Sequence, residues 1–184
     1  SLDHIGPMTR SAADAGAMLG AMAGVDPLDP TSLEAPVPDY LAGLEQGIRG
    51  ITVGIDAKYA FEVTDEDTRK VVEEARRVLA DLGANFVDVE MPASTLSMYR
   101  DWPAYCAVET AIAHADTYPA RAKEYGPVLA SLIEAGRGLG AMDLMRIHHE
   151  RLAFTGGLRK IFERVDLLLV PVHPFGNPTN AEID

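Results

Sequence analysis

"ITVGIDAKYAFEVTDEDTRKVVEEARRVLADLGANFVDV", residues 51–89, sets two short runs rich in Val, Ile and Phe on either side of a longer charged segment. "ITVGID" (51–56) and "NFVDV" (85–89) read as strands, because β-branched and aromatic side chains suit a pleated, packed surface. Between them Thr64 reads as the cap of a helix running through Leu82, which Gly83 stops. In that helix Val71, Ala75, Val78, Leu79 and Leu82 recur at helical spacing on one face, while the Glu and Arg residues between them face water. The pattern predicts a βαβ unit over 51–89. Parallel strands need a covering crossover, and this helix supplies one. An aspartate at position 78 is then expected to unfold the unit by burying a charge against the sheet.

Reading outward toward the start, Pro27, Pro30, Pro36 and Pro38 forbid regular helix and make 26–40 an extended connection. Before it, Ser11 with Asp14 three residues on predicts a helix start, and the small apolar run "AGAMLGAMAG" (15–24) reads as a buried helix ended by Gly24. Reading toward the end, 94–165 is mostly helical, with breaks near Pro119, Pro127 and "GRGLG" (136–140). "VDLLLVPVHPFG" (165–176) then reads as a strand buried on both faces followed by a loop, within a segment 166–178. The fold class is α/β, with 1–184 forming a single domain.

At 184 residues and 47% hydrophobic, the chain is long enough for one core. Its 16 Lys+Arg against 28 Asp+Glu leave a net charge of −12, so it lacks the basic footprint that nucleic acid requires. The single cysteine, Cys106, excludes an internal disulfide framework and fits a reducing, cytoplasmic compartment. "LLLVPV" (167–172) is the longest strongly apolar stretch, far short of the roughly 20 residues that cross a bilayer. The opening "SLDHIGPMTRSAADAG" has no basic n-region, apolar run or cleavage pattern, and it reads as an internal cut.

Candidate chemistry is sparse. His148, His149 and Glu150 invite a metal, but neighbours on a helix point about 100° apart, so they read as a solvated face. "GRGLG" follows helix rather than strand and lacks phosphate-loop spacing and lysine, so it reads as a helix break. Cys106, in an apolar helix, reads as a small core hydrophobe. None of Ser1, Ser11, Ser32, Ser94, Ser97 and Ser131 lies in a G-x-S-x-G elbow. His173 is the better candidate, since loops at strand ends commonly carry ligand contacts. No metal and no cofactor is expected.

"SLDHIGPMTRSAADAG" closely resembles the segment that follows the signature region of the amidase signature family, where a Ser-Leu-Asp-x-x-Gly-Pro stretch and an Arg precede a helix. "GVDPLDPTS" resembles that family's Asp-Pro-rich connection, "RGITVGI" its next strand, and "DLLLVPVHPFGNP" its late strand and proline-rich loop. The ordered set covers residues 1 to about 178. The resemblance implies part of an α/β fold built on a mixed sheet, with the parallel βαβ unit and covering helices as one piece of it. It also implies hydrolysis of the carbon–nitrogen bond of a small-molecule amide by a Ser–cis-Ser–Lys triad lying upstream of Ser1. This chain is then a fragment that supplies scaffold and part of the substrate pocket, catalytically silent alone.

In the same resemblance "WPAYCAVETAIAHAD" (102–116) falls where family members place a substrate-side helix, which makes Tyr105 and Glu109, one turn apart, candidates beside His173. The A subunits of tRNA-dependent amidotransferases carry a run like Pro-Ala-Tyr-Tyr followed by Ala-Glu-Ala-Ser-Ser. Here "PAYCAVETAIAHAD" departs from it, which favours a stand-alone amidase over that branch. The reading from another class is a non-catalytic α/β binding module. The expected partner is the amide substrate, with a homodimer as the assembly left open.

Overall fold

A computed structural model describes residues 2, 4–29, 31–176 and 178–179. The backbone separates into two compact units, residues 1–47 and 48–184.

In the first unit, helix α1 (Ala12–Met22) starts where the sequence predicts, with the Ser11 hydroxyl accepting the Asp14 N–H at 3.1 Å. It is not the buried helix expected. None of its residues is buried, and Met18 and Met22 remain 47% and 40% exposed. The physical reason is size. In a unit this short the apolar side chains around the helix, Leu28, Leu33 and Leu44 among them, are themselves exposed and close no core over it. The described part of 26–39 holds neither helix nor strand, and its turns are tied locally, as where Asp26 and Asp29 accept the N–H groups of Leu28 and Thr31.

In the second unit, strand β1 (Thr52–Ile55) pairs in parallel with β2 (Asn85–Asp88), Val53 opposite Phe86, and helix α2 (Glu66–Asp81) crosses between them. The predicted βαβ unit is therefore present. A third parallel strand, β3 (Leu167–Leu168), pairs on the other side of β1, giving the order β2-β1-β3. Alternation splits the side chains between two layers. On one face Ile55 packs with Ala60 and Val72, joined by Phe61, Phe86 and Leu169. On the other, Val89, Ile161 and Val165 gather Val87, Met91, Leu158 and Leu168. Gly54 is required at the centre, since a Cβ there would sit 3.2 Å from Leu168, Val165 and Val89 at once.

Three details differ from expectation. The cap of α2 is Asp65, whose carboxylate accepts the Thr68 N–H at 2.8 Å; the Thr64 hydroxyl is spent on the Ala60 carbonyl of the preceding π-helical turn (Lys58–Glu62). The inward stripe is rotated by one position, with Val72 buried and Ala75 and Leu79 half-buried, whereas Val71, Val78 and Leu82 are 69%, 41% and 57% exposed. Finally, β3 is short and open rather than buried on both faces. Leu167 is 53% exposed and Val172 fully exposed; among the described residues β3 pairs only with β1, and Pro171 removes the next ladder donor. Gly83 ends α2 as expected, at φ +98°.

The helical half follows the predicted breaks, with α3 (Thr95–Ala113), α4 (Pro127–Gly138) and α5 (Ala141–Phe162). A cis Tyr118–Pro119 bond lies between α3 and α4, and the α4–α5 break falls at Leu139 and Gly140, the end of "GRGLG". Gly136 lets α4 close onto α3, where any Cβ would overlap the Ala107 carbonyl; Gly157 does the same for α5 beneath Pro92.

Candidate functional site

Ser97, Asp101, Tyr105 and Glu109 recur every four residues along α3, a slowly winding stripe on successive turns. α5 packs against α3 and answers the first three. The Ser97 hydroxyl donates to Glu150. Asp101 is 8% exposed, and its Oδ2 accepts from Arg146 Nη1 at 2.7 Å while Oδ1 accepts from Arg100 Nε at 2.9 Å. Hydrogen bonds from Arg100, then Arg146, hold its carboxyl down to about 2, below the usual 3.8. It is thus charged at every ordinary pH, and the two guanidinium partners offset the cost of burying it. One turn on, the Arg151 guanidinium lies over the Tyr105 ring at 4.4 Å, a cation–π contact. Glu109 is half-buried on the following turn. A cleft of about 450 Å³ opens along α5, lined by Met142, Met145, Arg146, His149, Glu150 and Ala153.

His173 sits elsewhere, exposed in the loop that follows β3. Its Nδ1 lies 2.9 Å from the Phe175 carbonyl, and its ring meets the Phe175 ring edge-on at 4.3 Å. The loop is pinned to the start of α2, where the Gly176 N–H donates to Asp65 Oδ2 and the Asp65 N–H donates to the Pro174 carbonyl, both at 2.8 Å. Hydrogen bonding from Thr68, then from Gly176, with a smaller contribution from the nearby His173, holds the Asp65 carboxyl below its usual value. This is the carboxyl end of the parallel sheet, where α/β proteins gather ligand contacts. Tyr105 and Glu109 therefore share one helix, while His173 stands on another element with other partners.

Sequence reasoning passed over Asp101, Arg146 and the Ser97–Glu150 pair. The available signal was a lone carboxylate in the turn before "WPAYCAV", in phase with Ser97 and Tyr105. The reading of His148, His149 and Glu150 as a solvated face needs correction at its last member, since Glu150 is half-buried and bonded to Ser97; His148 is half-buried too, and the histidine rings stand 6.5 Å apart and tilted. Cys106 is half-buried on α3. Lys58, Lys70, Lys123 and Lys160 are all exposed, and Lys70 is paired with Glu66 at 2.7 Å. Among the described residues no group of three or more His, Cys, Asp or Glu is placed to hold a metal, and no helix is long and apolar enough to cross a membrane.

Comparison with known proteins places the whole chain in a family. AmiD of Mycobacterium tuberculosis is 44% identical over 179 residues, covering 97% of this chain and 37% of AmiD. The A subunit of the glutamyl-tRNA(Gln) amidotransferase of Trichlorobacter lovleyi is 33% identical, over 95% of this chain and 41% of that protein. In three dimensions, a bacterial aryl acylamidase of the amidase signature enzymes superposes with a TM-score of 0.76 at 24% identity, over 95% of this chain and 38% of that one. The chain thus spans about two fifths of the length of the relatives it matches. The family model described as Amidase matches residues 1–183, and on that match and the 44% relative the chain belongs to the Amidase family.

Proposed function

We propose that these residues form part of an enzyme that hydrolyses the carbon–nitrogen bond of a small-molecule amide. The observation that carries this is the 44% identity to AmiD across 97% of the chain, together with the family match. Residues 1–184 act as scaffold and as one side of the substrate pocket, with Tyr105 and Glu109 on α3 and His173 at the sheet edge facing substrate. The Ser–cis-Ser–Lys triad lies outside these 184 residues. In such a triad a neutral lysine draws the nucleophile's proton through the bridging serine, and backbone N–H groups hold the oxyanion. The four lysines present are exposed, which is unsuited to that base role. The single, half-buried Cys106 agrees with a cytoplasmic enzyme.

The 33% match to the A chain of an amidotransferase supports a second reading, in which ammonia freed from an amide is passed to glutamyl-tRNA. The higher identity to AmiD and the departure at "PAYCAVETAIAHAD" favour the stand-alone amidase.

The test is to express the complete reading frame that encodes these residues and assay it on aryl and alkyl amides, with and without a sulfonyl fluoride. The expected outcome is amide hydrolysis abolished by the reagent, with the label outside residues 1–184, and none by the 184 residues alone. Hydrolysis by the isolated chain, or a label on one of its six serines, overturns the placement of the triad. Ammonia transfer dependent on glutamyl-tRNA, without free hydrolysis, favours the second reading. Sedimentation of the same product reads whether it is a homodimer.

A further inference from the structure

Helix α3 has a weak point in its middle. Pro103 lies inside it and cannot donate to the carbonyl four residues back, that of Tyr99, and its ring crowds that turn. Such a helix bends or frays at the proline unless packing holds both halves in line. The polar stripe is placed to do this. Ser97 and Asp101 tie the half before the proline to Glu150 and Arg146 of α5, and Tyr105 beyond it lies under Arg151 of the same helix. Behind the second half, Gly136 lets α4 press on Ala107. The Asp101–Arg146 contact falls two residues before the proline, and it is there that a buried carboxylate is found.

We propose that Asp101 is a positioning residue. Through Arg146 it splints α3 across Pro103, and so sets the orientation in which Tyr105 and Glu109 meet the substrate. The link to substrate rests on the amidase reading above; the splint itself does not. A carboxylate retained only for solubility would lie exposed, and one that bound substrate would leave oxygens open rather than filled by two guanidinium groups.

The test uses the product of the complete reading frame and two readouts. Hydrogen exchange of the α3 amides after residue 101, followed by mass spectrometry, reads the splint, and steady-state amide hydrolysis reads its use. D101N is expected to speed that exchange about tenfold or more, the loss associated with a buried, charge-assisted hydrogen bond, and to raise KM more than it lowers kcat. P103A in the same chain is expected to reverse both effects, because a restored helical hydrogen bond makes the splint unnecessary. If D101N does not fold, R146Q, altered at a half-exposed side chain, replaces it with the same expectations. Unchanged exchange in D101N or R146Q overturns the proposal, as does failure of P103A to rescue. A wild-type enzyme that cleaves no amide, with exchange behaving as stated, removes the amidase reading and leaves the splint standing. Altered exchange with KM and kcat both unchanged removes the positioning role alone.

Discussion

The most informative single residue is Asp101, a carboxylate in a place where charge is costly unless matched. Its folded value, about 2, lies below the ordinary 3.8, so the stabilisation it confers is complete above roughly pH 4 and is lost as pH falls through 2. Urea unfolding of wild type and D101N should therefore differ most near neutrality and converge between about pH 4 and pH 2; curves that stay parallel would show that Asp101 titrates alike in both states. Adjacent glycines in α5 make a second contrast. Gly156 faces open space, so alanine there should stabilise by about 0.5–1 kcal/mol through lower unfolded-state entropy and better helix propensity. At Gly157 a Cβ would lie 2.7 Å from the Pro92 ring, so alanine should cost about 1–3 kcal/mol. Thermal melts of the two variants moving the same way would contradict the packing of α5 under Pro92.

At the scale of elements, α2 shows how a period can be right and its phase wrong. The hydrophobic spacing locates the helix, but valine pairs at 71–72 and at 78 with Leu79 leave two adjacent faces equally apolar. The structure chooses the one through Val72, Ala75 and Leu79 because that face meets Ile55, Ala60 and Phe86. The substitution that unfolds the βαβ unit is accordingly Val72→Asp rather than Val78→Asp. The first buries an unpaired charge and should cost about 3 kcal/mol or more, whereas the second, at a side chain 41% exposed, should cost under about 1 kcal/mol. Denaturant midpoints for the pair decide the matter, and an equal or larger loss at Val78 would return the stripe to its first assignment. The cap at Asp65 follows the same logic. Thr64 and Asp65 are both good caps in isolation, and the preceding turn, by taking the Thr64 hydroxyl, leaves Asp65 to do it.

For the whole molecule, the division after Gly47 has a consequence that can be measured. The unit of residues 48–184 contains the three-stranded sheet and both hydrophobic clusters, while no residue of α1 is buried. Removing residues 1–47 should leave a chain that still unfolds cooperatively, because the sheet and both clusters lie within 48–184. A non-cooperative melt after that deletion would mean that these clusters do not make a self-sufficient core. The sheet also explains the two separate neighbourhoods of the candidate residues. Parallel strands deliver their following loops, including the one with His173, to one end of the sheet, whereas Tyr105 and Glu109 stand on α3 in the helical half.

Much of this was legible in one dimension because it is decided locally. The strand–helix–strand order of 51–89, the Ser11 cap, the stop at Gly83 and the breaks at Pro127 and "GRGLG" depend on propensities and on groups a few residues apart. The family, too, was legible, since its ordered motifs lie along the chain. What the tertiary structure alone decided are matters of partnership across long separations. Which face of α2 turns inward depends on the sheet. Whether "LLLVPV" is covered depends on what lies beside β3. Asp101 becomes a buried, charged splint only because Arg146, 45 residues away, arrives beside it, and no local pattern encodes that meeting. The cost of burying a charge is set by its neighbours in space, and those are chosen by the fold.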